Sequence, residues 1–134
     1  MSVEMPEATG SFGASPTLAF PAGGPPAGLH ARVLEDGAGP LVQAGQTITV
    51  NYHGQVWDGK VFDSSYRRGE PVGFPIGVGA VIAGWDRALV GKTVGSRVLV
   101  SIPPEQGYGR RGMPAAGIGG GDTLVFVVDI ISAR

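Results

Sequence analysis

Cysteine is absent from this chain, which removes disulfides, zinc–thiolate sites and thiol nucleophiles and is compatible with a reducing compartment. Histidine is scarce. His30 and His53 are the only two, and neither stands at metal-ligand spacing with another histidine or a carboxylate pair, so no metal is expected. Charge of one sign is also lacking: a formal net charge of -1 offers a nucleic acid no basic stripe. No apolar run approaches the roughly 20 residues that cross a bilayer. The opening MSVEMPEATG has neither the basic start nor the apolar run of a secretory leader. These gaps leave a cytoplasmic, monomeric domain with no membrane or nucleic-acid partner as the expectation. A length of 134 residues suffices for one core but not comfortably for two.

Glycine and proline, by contrast, are abundant, with 24 and 11 residues, and their placement divides the chain. Residues 1–28, which include PAGGPPAG, show almost no periodic apolar pattern. They read as a flexible Pro/Gly-rich tail that buries too little surface to offset its own ordering. A second cluster, GYGRRGMPAAGIGGG at 107–121, lies between two strand signals and reads as an irregular flap inside the folded unit. The folded domain is expected over residues 29–134.

Within it, TITVNYHGQVW alternates. Ile48, Val50, Tyr52 and Val56 share one face, and Thr49, Asn51, His53 and Gln55 share the other, as in a half-buried strand. His53 is then a solvated histidine on the outward face. Asp58-Gly59 is a turn signal, and KVFDSS returns as the partner of a hairpin. EPVGFPIG is short and holds Pro71 and Pro75, which suits an edge. RVLVSI and TLVFVVDII alternate again, and LHARVLEDG is a weaker first strand. VIAGWDRAL at 81–89 differs, because Val81, Ile82, Trp85, Ala88 and Leu89 fall on one helical face, with Gly91 as the stop.

Reactive chemistry is thin. GYGRRG fits a dinucleotide-binding glycine pattern, but Met113-Pro114 follows where a helix N-terminus would have to cradle phosphate. Asp63, Ser64, Ser65 and His53 suggest a hydrolytic set on paper. No G-x-S-x-G turn accompanies them, and Asp63-Ser64-Ser65 serves equally well as a strand-ending turn. What remains is a set of large apolar side chains at the ends of elements: Tyr52, Phe62, Phe74, Val81, Ile82, Trp85, Tyr108 and Phe126. Taken singly, each is what a core requires.

Taken in order, NYHGQVWDGKVFDSS, VIAGWDRAL, the SIPPEQGYG run and TLVFVVDI closely resemble the signature segments of FKBP-type peptidyl-prolyl cis-trans isomerases, from about residue 29 to residue 134. The resemblance implies an α+β fold, a twisted antiparallel β half-barrel of five to six strands wrapped around one short α-helix. It implies catalysis of rotation about peptide bonds preceding proline, with no cofactor. The partners it implies are proline-containing peptides, unfolded proteins and tacrolimus- or rapamycin-like macrolides. The catalytic set carried over is Tyr52, Phe62, Asp63, Trp85, Tyr108 and Phe126, with Trp85 as floor, the Tyr108 hydroxyl offered to a substrate carbonyl and Asp63 holding the rim. Phe74, Val81, Ile82, Met113 and Ile118 would bind substrate, the Ile82 amide facing the ligand. Val72 stands where relatives commonly have an aromatic, which opens or flattens one side of the pocket. Met113 stands where a histidine is frequent, which gives a softer contact.

Two other readings are open at this point. One keeps the fold as a non-catalytic module that binds prolyl segments. The other is an interaction scaffold, because Leu99, Val125, Val127 and Ile131 point away from the predicted core. Occasional contact from Phe12, Leu18 and Phe20 of the tail is the preferred cover for that face.

Overall fold

A computed structural model describes residues 4–134. Two short strands, β1 (Glu7–Ala8) and β2 (Leu18–Ala19), pair with each other. They are followed by β3 (His30–Glu35), β4 (Thr47–Val56), β5 (Val61–Ser64), the one-turn helix α1 (Ser65–Arg68), β6 (Val72–Pro75), α2 (Ala83–Leu89), β7 (Arg97–Ile102) and β8 (Leu124–Ala133). The main sheet has six strands, all paired antiparallel, in the order β3-β7-β8-β4-β5, with β6 also on β4. The long strand β4 serves two partners on one edge: Thr47–Val50 pair with β6, and His53–Gln55 pair with β5. The fold is the α+β half-barrel around one main helix.

The alternation legible in β4, β7 and β8 decides what each face meets. Ile48, Val50, Tyr52, Val98, Val100, Ile102, Leu124, Phe126, Val128 and Ile130 form one core with Trp85, Ala88 and Leu89 of α2. The helix begins at Ala83, two residues later than its apolar pattern. Val81 and Ile82 stay outside it, and the Ile82 carbonyl accepts the Trp85 amide at 3.0 Å as the cap. Gly84 sets how closely α2 lies on β7. A Cβ there would come within 2.6 Å of Ile102 Cγ2, nearer than any side chain tolerates.

The other face of the sheet is covered from the tail, with Leu18 and Phe20 on it as expected and Phe12 off it. Leu99, Val125 and Val127 are fully buried in a second cluster with Met5 and Trp57, against which Ala8, Leu18, Phe20 and Leu34 pack. The Phe20 and Trp57 rings meet edge to face at 5.2 Å. The segment expected to be a flexible tail is thus laid over the sheet between Met5 and Phe20, while Phe12 and Ile131 remain exposed. The physical reason lies in the sheet. Each fully buried Leu or Val contributes about 1.5–3 kcal/mol, a gain invisible when the segment is judged by its own composition.

Polar bonds fix this strap in place. Arg97 Nε pairs with Asp129 Oδ1 at 2.8 Å, with side-chain exposures of only 1% and 0%. The guanidinium also donates to the Thr9 carbonyl at 3.3 Å and to the Ala14 carbonyl, and the Gly13 amide donates to Asp129 Oδ2 at 2.8 Å. His53 also corrects its forecast. It is on the outward face as expected, yet only 6% exposed, with Nε2 2.7 Å from Gln55 Oε1.

Two stability measurements follow. Breaking the buried pair by Arg97→Ala leaves an uncompensated carboxylate and should cost about 3–5 kcal/mol. Arg68→Ala, whose ion pair with Asp63 is 46% and 38% exposed, should cost no more than about 1 kcal/mol; urea unfolding of the two variants gives the comparison. Burial, with the charge of Arg67 adding to it, lowers the His53 pKa below 6.5 against the opposing bond to Gln55. The unfolded chain therefore takes up this proton first. Stability is complete above about pH 6.5 and declines on acidification until the folded histidine protonates. His53→Asn should remove that part of the slope.

Candidate active site

Three aromatic rings converge on the indole of α2. Trp85 meets Tyr52 of β4 at 5.4 Å, Phe74 of β6 at 5.2 Å and Phe126 of β8 at 5.3 Å, with interplanar angles of 84°, 75° and 89°. Phe62 of β5 stands on Phe126 at 5.5 Å and 80°. These edge-to-face pairs are each worth about 0.5–1.5 kcal/mol beyond the area they bury, so the ring walls hold their angles by packing alone. Trp85 itself is 4% exposed. Its indole N–H is buried and has no acceptor among the described residues.

Above the indole is an open cavity of about 540 Å³. All eleven side chains marked from the sequence line it: Tyr52, Phe62, Asp63, Phe74, Val81, Ile82, Trp85, Tyr108, Met113, Ile118 and Phe126. Gly79, Ala80 and Ala116 complete the wall. Val72 is not part of it and packs against the core, paired with Val50; Phe74 walls that side instead.

The polar rim is a small network. The Tyr52 hydroxyl donates to Asp63 Oδ2, while Arg68 pairs with Asp63 Oδ1 and donates to the Tyr52 hydroxyl at 3.1 Å. Burial alone would raise the Asp63 pKa, but the bonds from Tyr52 and Arg68 outweigh it and hold the carboxyl below its ordinary value. Burial, and next the Asp63 hydrogen bond, push the Tyr52 phenol up. Burial and the Asp63 charge likewise raise Tyr108. Tyr108 is thus a neutral O–H donor at pH 7, and its hydroxyl makes no bond to another described residue. The Ile82 amide is also without an acceptor among the described residues.

Two loops close the cavity, and sequence reasoning had given neither its anchor. Asp86 of α2 accepts the Gly77 amide at 2.6 Å and the Gly79 amide at 2.9 Å, which ties down the loop carrying Gly79 and Ala80. In the flap, Met113 and Ile118 exchange backbone bonds of 2.8 and 3.1 Å across the turn at Pro114–Ala116. The Gly119 amide reaches Asp122 Oδ2 at 2.7 Å. The flap is irregular but internally bonded. The imagined hydrolytic set does not assemble: His53 bonds Gln55, Asp63 bonds Tyr52 and Arg68, and Ser65 Oγ bonds Asn51.

Residues 39–131 match the family described as FKBP-type peptidyl-prolyl cis-trans isomerase. This chain belongs to that family. An FK506-binding protein of Streptomyces anulatus is 41% identical over 133 residues, 98% of this chain and 99% of that protein. Peptidyl-prolyl cis-trans isomerase FKBP15-2 of Arabidopsis thaliana is 48% identical over 90 residues, 67% of this chain and 55% of its own length. Among solved structures, that of AtFKBP13 superposes with a TM-score of 0.74 at 39% identity, covering 81% of this chain and 95% of that one. The FKBP activity is catalysis of cis-trans isomerisation before proline, and this chain is an isomerase of that type.

One close approach shapes this FKBP cavity from behind. A Cβ on Gly54 would lie 2.7 Å from Phe126 Cε1 and 2.9 Å from Phe62 Cε1 and Cζ. Gly54→Ala should therefore drive both rings into the cavity. Overpacking of this kind costs about 1–3 kcal/mol, and a prolyl peptide titrated by fluorescence of the variant should bind about tenfold more weakly.

Proposed function

We propose that the cup over Trp85 receives the proline ring of a polypeptide and favours the preceding peptide bond in its twisted form. An amide resists rotation by roughly 20 kcal/mol because resonance must be lost. The planar amide is the more polar species, and water stabilises it accordingly. Moving an amide to an apolar site costs about 2–7 kcal/mol. A wall that penalises the planar form more than the twisted one returns part of that cost at the transition state. A difference of about 4 kcal/mol corresponds to roughly a thousandfold acceleration.

The observation that carries this reading is the open aromatic cavity above Trp85. In it Trp85 is the floor, Tyr52, Phe62, Phe74 and Phe126 are walls, and Val81, Ile82, Met113 and Ile118 contact the flanking residues of the peptide. The unbonded Tyr108 hydroxyl and Ile82 amide are donors for substrate carbonyls. Asp63, already bonded twice, organises the rim. A tacrolimus-like macrolide would compete for the same cup.

A protease-coupled isomerisation assay on Ala-Leu-Pro and Ala-Phe-Pro peptides tests the proposal. The expected result is acceleration that the macrolide abolishes. Trp85→Ala and Phe126→Ala should each lose about tenfold or more in kcat/KM, and Asp63→Asn markedly less. Peptide binding without acceleration would instead make the chain a prolyl-binding module. Equal losses in all three variants at equal stability would remove the desolvation argument.

A further inference from the structure

The strap over the back of the sheet and the rim of the cavity share one element. Tyr66 and Arg68 lie two residues apart in α1, a single turn. The Tyr66 hydroxyl donates to Asp129 Oδ2, the oxygen that also accepts the Gly13 amide at 2.8 Å. At the other end of the turn, Arg68 holds Asp63 and Tyr52, both in the cavity wall. The start of α1 is fixed from within the sheet, because Ser65 Oγ accepts the Tyr52 amide at 2.8 Å and lies 2.9 Å from Asn51 Oδ1. Its remaining side-chain tie to the back face is Tyr66.

We propose that the strap, residues 5–20, positions the polar rim of the cavity through Tyr66, so that the working domain of this chain extends beyond the 39–131 family match. Gly13 supplies one donor to Asp129, and the Thr9 and Ala14 carbonyls satisfy Arg97, which in turn holds Asp129 by 2.8 and 3.3 Å bonds. With the strap seated, the ion pair is sealed and Asp129 is a fixed acceptor for Tyr66. With the strap displaced, Asp129 and Arg97 are hydrated and free to reorient. Tyr66 then loses its anchor, and the end of α1 that carries Arg68 loosens. Arg68 is half exposed, and apart from its bonds to Asp63 and Tyr52 its guanidinium has the Tyr52 ring at 5.8 Å, so its hold on the rim depends on where α1 places it. Tyr66 is in this account a positioning residue, not a catalytic one.

The inference rests on the cup being the working site, but its test does not require turnover. The Asp63 carboxyl is titrated by carbon NMR in the full chain, in Tyr66→Phe and in Gly13→Pro. The first variant removes the hydroxyl. The second removes the Gly13 amide hydrogen and cannot adopt its φ of 91°. In both, Asp63 should titrate higher, towards its ordinary 3.8, and kcat/KM should fall by no more than it does in Asp63→Asn. An unmoved Asp63 in either variant overturns the proposal. A shifted Asp63 in a chain without isomerase activity would uphold the coupling and sink only the reading of the cup.

Discussion

The edge-on packing of Trp85 against Tyr52, Phe74 and Phe126 is the contact on which both core and cavity depend. A seven-residue helix cannot bury an indole by itself. Here β4, β6 and β8 each contribute one ring, and the indole locks them at near-perpendicular angles. The ring faces left over by this packing become the inner surface of the cavity. A wall assembled in this way is already in place before a ligand arrives, which keeps the cost of ordering it out of binding. Gly84 and Gly54 are the complementary requirement. Without a side chain at the first, α2 can lie close on β7; without one at the second, Phe62 and Phe126 can close over β4.

The sheet has two apolar faces, and the chain covers each differently. A helix seals one, and a segment with almost no regular structure seals the other, through side chains at Met5, Leu18 and Phe20 and backbone groups at Thr9, Gly13 and Ala14. The backbone groups matter as much as the apolar ones. A guanidinium has five N–H donors and no acceptor capacity, and a single carboxylate cannot satisfy it. Carbonyls presented by irregular chain are well suited to complete the set.

Strands were legible because β4, β7 and β8 alternate cleanly, and the helix because its apolar residues share one face. Eight of the cavity's side chains lie in the four segments that carry the resemblance and Phe74, Met113 and Ile118 were carried over beside them, whereas Gly79, Ala80 and Ala116 were not legible, since their role depends only on loop position. Arg68 was missed because its partner Asp63 lies across a strand–helix junction and no periodic rule pairs them. The strap was the hardest to read. Its value comes from Leu99 standing opposite Val127 in the register of β7 and β8, a property of the surface beneath it. His53 shows the same dependence: its face was read correctly, but its burial was not.

The platform under the strap imposes an order of events during synthesis. Residues 4–20 leave the ribosome long before β8, yet Val125, Val127 and Asp129, which receive them, belong to that strand. β4 likewise waits for β8, its longest partner. The nascent segment therefore stays unengaged until some hundred further residues have emerged, consistent with the slow assembly expected when pairings span most of a chain. Its mostly small and polar side chains suit that interval, because a segment that must wait gains from having little to misassemble with.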